Sequence, residues 1–378
     1  MVRKRIALVF IGNYKSWSGG IIYILNLIQT FNEFEFESKP EILVIHSQDS
    51  PIEDIIKINY PFIEFQLYNP NKIHLLFNAV SRRILGRNLI KSKILGQIPA
   101  SIYPYNAHLA FEDIPKKIYW IPDFQYLHLP QMFSSKELNS TFKRHLYIST
   151  LSDTVVFSSN DAKNDYVTNF PDFKNKLELL KFAQKLPEFN QLDIITIKEK
   201  YKVDRPYFFV PNQFWKHKNH ITVLKAIKQA RKNYKDLLVV FTGNENDHRN
   251  LLHIEILRNY IIENELEMNL RFLGFIDRLE QLVLMNNSIA IIQPSLFEGW
   301  STVVEDAKAL NKHIILSNIP IHREQINLNC TFFESNNVSE LSEKLITFAN
   351  TKRQNIPYDY NKNIMDFKMR LQEILLNG

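Results

Sequence analysis

The stretch that decides the fold runs from Ser288 to Pro320: SIAIIQPSLFEGWSTVVEDAKALNKHIILSNIP. It predicts strand, tight loop, helix, strand. Ser288–Gln293 is a short apolar run of the kind buried in a parallel sheet. Pro294 and Ser295 stop it, and Phe297, Glu298, Gly299 and Trp300 form a loop. Ser301 or Thr302 caps a helix that runs to about Leu310, and His313–Ser317 is the next strand. A strand–loop–helix of this kind aims backbone N–H groups and the positive end of a helix dipole at whatever lies over the strand ends, which suits a phosphate. In open α/β sheets the ligand crevice lies at those carboxyl ends.

Three acids mark the stretch: Glu298 in the loop, then Glu305 and Asp306 in the first helical turn. A loop glutamate beside a glycine can reach the reactive part of a ligand. An acid one turn into the helix can accept from vicinal hydroxyls, as acids do for ribose in dinucleotide folds. Thr302-Val-Val-Glu305 also fits a capping box, in which Glu305 only reaches back to the helix start. Asp306 can likewise serve only the positive helix end.

FEGWSTVVEDAKA, from Phe297 to Ala309, resembles the Glu-x7-Glu motif of retaining glycosyltransferases of the GT-B fold, specifically glycosyltransferase family 4. The resemblance implies that Glu298 lies near the donor sugar and that the second acid holds the nucleotide ribose. Seven intervening residues lead to Asp306, a shortened acid, with Glu305 one place early. The ribose role therefore lies with Asp306 or Glu305; Asp306 is preferred, with Glu305 left to the cap. Gly299, Trp300 and Ala307-Lys308-Ala309 match as well, and the resemblance gives Gly299, Trp300, Ser301 and Thr302 to the donor.

At 378 residues, the chain suggests two domains, and 45% hydrophobic residues support sizeable cores. No apolar run approaches the ~18 residues of a membrane-spanning helix. The opening MVRKRIALVFIG imitates a signal peptide, but its apolar run is short and no small-residue cleavage site follows, so a first strand is expected. The single cysteine, Cys330, excludes an internal disulfide, suits a cytoplasmic protein and is expected to be a small buried hydrophobe. Nine glycines are far below the roughly 7% average, so their placement is informative. Gly12, Gly19, Gly20, Gly243, Gly274 and Gly299 fall in predicted loops at strand ends, where backbone turns sharply or approaches a ligand.

In chain order, Arg5–Ile11 is a strand, Gly12–Gly20 a loop and Ile21–Phe31 a helix. The pattern is not Gly-x-Gly-x-x-Gly, which counts against a nicotinamide oxidoreductase. The pair Gly19-Gly20 resembles the family's first loop, which implies a place near the donor phosphates; two glycines also simply make a turn. Glu41–His46 is a strand. Residues 65–111 contain no Asp or Glu. Within 72–93, Lys72, Arg82, Arg83, Arg87, Lys91 and Lys93 interleave with apolar residues. Such a segment can lie on an anionic membrane surface, or pack its apolar face onto the domain with its charge outward. The net charge of +6 favours a polyanionic partner, with lipid headgroups and sugar nucleotides ahead of nucleic acid, for which no binding signature stands out.

Lys117–Pro122 is a strand, followed by Asp123 and His128, which can position an acceptor or handle a proton; His128 can equally be a plain loop histidine. In the family a His-Asp pair commonly ends this strand, whereas Pro122-Asp123 stands here. Thr154–Phe157 is a strand, and Ser158–Asp161 caps a helix. A linker lies near Lys185–Asp193. Tyr207–Val210 opens the second half, then Trp215–Asn219 forms a cationic loop and Ile221–Ala230 a helix. The resemblance gives a donor-diphosphate clamp of arginine and lysine here. Lys218 matches the lysine, Gln213 stands where the arginine is expected, and Lys216 is nearby. Leu237–Thr242 ends at Gly243, and Leu270–Leu273 ends at Gly274-Phe275, where the family's backbone contacts the nucleobase. The last segment, Asn363–Leu376, is expected as an amphipathic helix that crosses back to the first domain.

The expected fold is α/β and GT-B: two doubly wound Rossmann-like domains facing across a cleft. The expected boundaries are 1–190, 191–360 and a final helix 361–378. By resemblance, the activity is retaining transfer of a hexosyl group from a nucleoside diphosphate sugar to a saccharide or lipid-linked saccharide, in surface-polysaccharide assembly of the O-antigen or capsule type. No metal or other cofactor is expected, and no protein nucleophile. The site set is Glu298, Lys218, His128 and Asp123 around the reaction, with Gly19, Gly20, Gln213, Lys216, Gly243, Gly274, Phe275, Gly299, Trp300, Ser301, Thr302, Glu305 and Asp306 on the donor. The expected location is cytoplasmic, peripheral on the inner face of the membrane through 72–93. A GT-B epimerase acting without an acceptor, and a non-catalytic sugar-nucleotide or polyanion binder, are the competing readings.

Overall fold

In the second half of the chain, successive strand residues are buried on opposite faces. Phe208, Val210, Val239, Phe241, Ile292 and Ile315 join one core. Their neighbours Tyr207, Phe209, Leu238, Val240, Ile291, Ile314 and Leu316 join another. A sheet covered on both sides reads as continuous apolar runs, which is why these strands are visible in the sequence. A computed structural model describes residues 3–377 apart from 86–87, 107–108, 112–113, 246, 248 and 352–353, and apart from the side chains of 14–18 and 83.

The strands form two all-parallel sheets. The first contains β1 (Arg5–Phe10), β2 (Glu41–His46), β3 (Ile63–Leu67), β4 (Ser101–Tyr103), β5 (Lys116–Ile121), β6 (Thr154–Phe157) and β7 (Lys176–Leu179), in the order β3-β2-β1-β4-β5-β6-β7. The second contains β8 (Phe208–Pro211), β9 (Val239–Thr242), β10 (Leu270–Phe272), β11 (Ile291–Gln293), β12 (Ile314–Ser317) and β13 (Cys330–Phe333), in the order β10-β9-β8-β11-β12-β13. Both are doubly wound, with the strand order reversing between β1 and β4 and between β8 and β11. The expected α/β architecture is present, and β3, β4, β7 and β13 are additions. β3 and β7 are edge strands with partly exposed polar residues, and β4 has three residues, so none of these three carries an apolar run. Cys330, expected to be buried, is half-buried on β13, and burial raises its thiol pKa.

The chain divides into two compact units. Unit 1 takes residues up to Pro122, Lys143–Gln184 and the C-terminal stretch from Asn363; unit 2 takes Asp123–Phe142 and Lys185–Lys362. The excursion Asp123–Phe142, expected in the first domain, clusters with unit 2 instead. Its anchors there are His128 stacked on Phe297 at 5.2 Å and Phe133 under the Arg249 guanidinium. The final helix, Asn361–Gln372, is tied to unit 1 by Arg370 on Glu178 at 2.7 Å, Lys368 on the Glu33 carbonyl and Phe367 against Phe182.

Two readings of unit 1 change. The first helix is Tyr14–Asn32, so Gly19 and Gly20 are not in a loop but in the helix interior. Glycine is tolerated there at about 1 kcal/mol each, and no proline interrupts the stretch. The basic segment forms the helix Lys72–Leu85, and it packs in the opposite sense to the usual amphipathic helix. Its buried positions are Asn78 and Ser81, while Ile73, Leu76, Phe77, Val80 and Ile84 are exposed, Ile73 and Ile84 by 71% and 72%. Asn78 holds the following loop, accepting from the Leu89 and Ile90 amides and donating to the Ile90 carbonyl. The packed-apolar-face alternative is thereby overturned for these residues. Arg87 lies outside the described residues, as does the Arg83 side chain.

A Cβ added at Gly19 meets nothing within 4 Å. Gly19→Ala is therefore expected to stabilise the protein by about 0.5–1 kcal/mol in urea unfolding. A loss of stability would return Gly19 to a loop.

Candidate active site

The switch point between β8 and β11 gathers the polar groups of unit 2. Asn212, just past β8, donates through Nδ2 to Gln293 Oε1 at the end of β11, 2.9 Å away. Gln293 Nε2 donates to Glu298 Oε1 at 2.7 Å, and Ser295 Oγ donates to the same oxygen at 2.6 Å. From the β8 side, Lys218 Nζ completes the set at 2.6 Å. The turn Lys216–Lys218 is a single 3-10 turn closed by Asn219, whose φ of 56° is left-handed and whose side chain donates to the carbonyls of Pro294 and Ser335. The Leu296 amide donates to the His217 carbonyl, so the two loops are tied by backbone as well.

Burial alone would raise the Glu298 carboxyl pKa. The charge of Lys218 beside it, the neighbouring His217 and the donated hydrogen bonds overcome this and hold it at about 2. His217 is buried, and burial together with Lys218 lowers it to about 3, so it is neutral near pH 7. His322, buried with its Nδ1 on the Ser317 carbonyl, is lowered by burial to about 4. The site is therefore one anionic carboxylate on a fixed lysine, flanked by neutral imidazoles.

The neighbouring strand ends close the floor. Gly243 follows β9 with φ +142°, and a Cβ there would sit 2.3 Å from the Asn212 carbonyl oxygen, so only glycine fits. Its amide donates to the Gly274 carbonyl at 2.8 Å. Gln213 is half-buried beside Asn212, Lys216 is exposed, and Phe275 projects 82% exposed.

The helix Thr302–Ala309 starts at Ser301, whose Oγ accepts from the Val304 amide. The Ser301 amide donates to Gln325 Oε1 at 3.1 Å, and Gln325 Nε2 donates back to the Ser301 carbonyl, so the expectation that this amide faces a phosphate is corrected. Glu305 is not the cap. Its fully buried carboxylate accepts from Lys308 at 3.0 Å, Gln325 at 2.8 Å and the Tyr360 hydroxyl at 2.7 Å, because Ser301 starts the helix one residue too early for Glu305 to reach back. Burial raises its pKa against the pull of Lys308, Gln325 and Tyr360. Asp306 is 2% exposed and held bidentately by Arg278 at 2.8 and 2.5 Å. Gly299 and Trp300 are half-buried and Thr302 is exposed.

Residues 193–364 match the family model described as glycosyl transferases group 1. Over the whole chain the structure is similar to a glycosyltransferase from Rickettsia africae ESF-5, with TM-score 0.65, 16% identity and 99% and 94% of the two chains covered. It is also similar to Anabaena HepE in complex with UDP and glucose, with TM-score 0.65, 13% identity and 99% and 95% covered. WaaG, a glycosyltransferase involved in lipopolysaccharide biosynthesis, gives TM-score 0.59 at 10% identity, with 99% and 100% covered. The fold is GT-B. In sequence, 135 residues are 27% identical to the O-antigen chain mannosyltransferase RfbU of Salmonella typhimurium; they cover 36% of this chain and about a third, 35%, of that relative's length.

Within the group 1 match lie Glu298, Lys218, Gln213, Lys216, Gly243, Gly274, Phe275, Gly299–Thr302, Glu305 and Asp306. Of the remaining expected residues, Asp123 and His128 lie in the Asp123–Phe142 excursion of unit 2, and Gly19 and Gly20 lie in unit 1. Asp123 accepts from the Gln125 amide at 2.9 Å, turning the chain into the helix Gln125–His128. Sequence reading missed Gln293, Ser295, Arg278, Gln325 and Tyr360. Gln293 and Ser295 were detectable as polar residues ending a buried strand within five positions of Glu298. Arg278, Gln325 and Tyr360 have no spacing signal.

The Glu298 pKa, held at about 2 against 4.5 unfolded, corresponds to roughly 3 kcal/mol of stability at neutral pH. A depressed carboxylate contributes above its unfolded pKa, and the contribution is lost as pH falls through the folded value. Glu298→Gln is expected to lose about 3 kcal/mol at pH 7. The gap from the natural protein should shrink between pH 4.5 and about 2. Urea unfolding across that range checks it, and a pH-independent gap would contradict the pairing.

Proposed function

We propose that this protein is a retaining glycosyltransferase that moves a hexosyl group from a nucleoside diphosphate sugar to a hydroxyl of a saccharide or lipid-linked saccharide. The observation that carries the reading is the Lys218–Glu298 pair at the switch point of a group 1 domain, where an α/β sheet binds its ligand. The bond that breaks joins the sugar's anomeric carbon to the diphosphate oxygen, which keeps the electron pair. The acceptor oxygen forms the new bond on the same face, and its proton passes to the departing phosphate. The chain's task is to fix cations where that charge develops, with water excluded. Lys218 and Lys216 are assigned to the diphosphate, Glu298 to the donor sugar and Asp306, through or beside Arg278, to the ribose. His128 and Asp123 are assigned to the acceptor side. No metal is required in this reading, because the chain's own cations meet the charge.

HepE was solved with UDP and glucose, which supports UDP as the first donor nucleotide to try. RfbU and WaaG are named for O-antigen and lipopolysaccharide work, which supports a surface-polysaccharide acceptor. Among the described residues no helix is long and apolar enough to cross a membrane. We assign the protein to the cytoplasmic side, held peripherally on anionic lipid by the helix Lys72–Leu85. Its outward apolar side chains suit the acyl boundary, and Lys72, Arg82, Lys91 and Lys93 suit the headgroups.

Thermal stabilisation by UDP, GDP, ADP, dTDP, CMP and NAD tests the donor site. One nucleoside diphosphate is expected to stabilise the protein, and Lys218→Ala is expected to lose roughly 10²–10³-fold in turnover. Stabilisation by NAD alone, or a loss under about threefold, would remove the reading. For the membrane, changing Ile73, Leu76 and Ile84 to Ser is expected to cut cosedimentation with phosphatidylglycerol vesicles at least tenfold while leaving the melting temperature nearly unchanged, since these side chains are largely exposed. Unaltered sedimentation would detach the helix from lipid.

A further inference from the structure

Lys218 already faces a full negative charge, Glu298, at 2.6 Å. A departing diphosphate needs positive charge beyond that pair, and the sequence has Gln213 where the resemblance leads one to expect an arginine. A second cation is built into the same corner from another loop. Asp247, 4% exposed, accepts from the Lys216 amide at 3.0 Å and from the Arg249 amide at 3.0 Å, so it bolts the loop after β9 to the turn Lys216–Lys218. Arg249 then lies between two aromatic rings. Its guanidinium carbon is 5.4 Å from the Trp215 ring centre and 5.2 Å from that of Phe133. Trp215 in turn packs on His217 with ring centres 5.5 Å apart.

The hydrogen bonding of this guanidinium is thin. One long bond to Gln125 Oε1, at 3.4 Å, is its side-chain partner, and its buried Nε has none. Among the described residues no carboxylate lies within ion-pair distance of it; Asp247 gives its oxygens to amides and to Asn250, and the nearby Arg249 charge helps hold it below the usual carboxylate range. Its charge and that of Lys218 both bear on the buried His217, so the two cations share one neighbourhood. Aromatic stacking fixes a guanidinium without satisfying its donors, which leaves a planar fork for two phosphate oxygens.

We propose that Arg249 is a second diphosphate-binding cation of this site, supplied by the loop after β9 in place of an arginine at position 213. The proposal rests on the donor reading above. The step it serves is cleavage of the anomeric C–O bond, in which the diphosphate leaves with the electron pair and Arg249 meets the added charge.

Inorganic pyrophosphate is the base-independent probe. Calorimetric titration of the full chain is expected to give at least tenfold weaker pyrophosphate binding for Arg249→Ala, with Arg249→Lys in between, and recovery in the double variant Gln213→Arg with Arg249→Ala. Recovery from a different strand end separates charge supply from loop packing. If Arg249→Ala binds within twofold of the natural protein while Lys218→Ala loses tenfold, the diphosphate site stands and Arg249 is outside it. A loss that Gln213→Arg leaves untouched, with a lowered melting temperature, makes Arg249 a packing residue and overturns the proposal. Absence of pyrophosphate binding by the natural protein removes the donor reading and this inference with it.

Discussion

A carboxylate buried as deeply as that of Glu298 survives in the folded state only where opposite charge and hydrogen bonds converge on it. Lys218 comes from the loop after β8, and Gln293 and Ser295 come from the end of β11. Those sources are adjacent because the strand order reverses between β8 and β11. Any other order would separate lysine from glutamate and leave two uncompensated charges. The topology of unit 2 and its electrostatics are thus one constraint, and the close packing at Gly243 follows from it, since the β9 loop must press on Asn212 to support Gln293.

The three acids of the motif region have separated environments. Glu298 keeps a lysine from a neighbouring strand, Glu305 is enclosed by Lys308, Gln325 and Tyr360, and Asp306 is covered by Arg278. Residues 305 and 306 are adjacent yet do different work: one organises the helix start through Gln325 and Ser301, the other holds an arginine that is itself partly exposed.

Legibility in the sequence followed burial. Strands covered on both faces, such as β8, β9 and β12, were readable as apolar runs, and the loops after them were found with their glycines. Edge strands β3 and β7, half wet, were not. Gly19 and Gly20 were misread because scarcity made every glycine look like a turn, whereas a glycine in a helix costs only about 1 kcal/mol and can persist. In the site, Glu298 and Lys218 were each recognisable from local wording, but their contact spans eighty positions and depends on strand order. Arg278 and Tyr360 reach their carboxylates from 28 and 55 positions away, and nothing local announces either. The helix Lys72–Leu85 shows the reverse failure: the apolar periodicity was plain, and it points outward because Asn78 and Ser81 take the inner positions.

Tyr360 is the last residue to anchor unit 2 before the chain passes, at Asn363, into unit 1. The regular helices of unit 2 end earlier, at Asn350, and a protein engineer cutting there would judge the remaining tail dispensable. The tail instead carries a hydroxyl that the buried Glu305 uses, and Glu305 steadies Gln325, which steadies Ser301. An excised unit 2 fragment would therefore have to keep the irregular segment through Tyr360, and the useful boundary is set by a hydrogen bond to the motif helix rather than by the end of secondary structure.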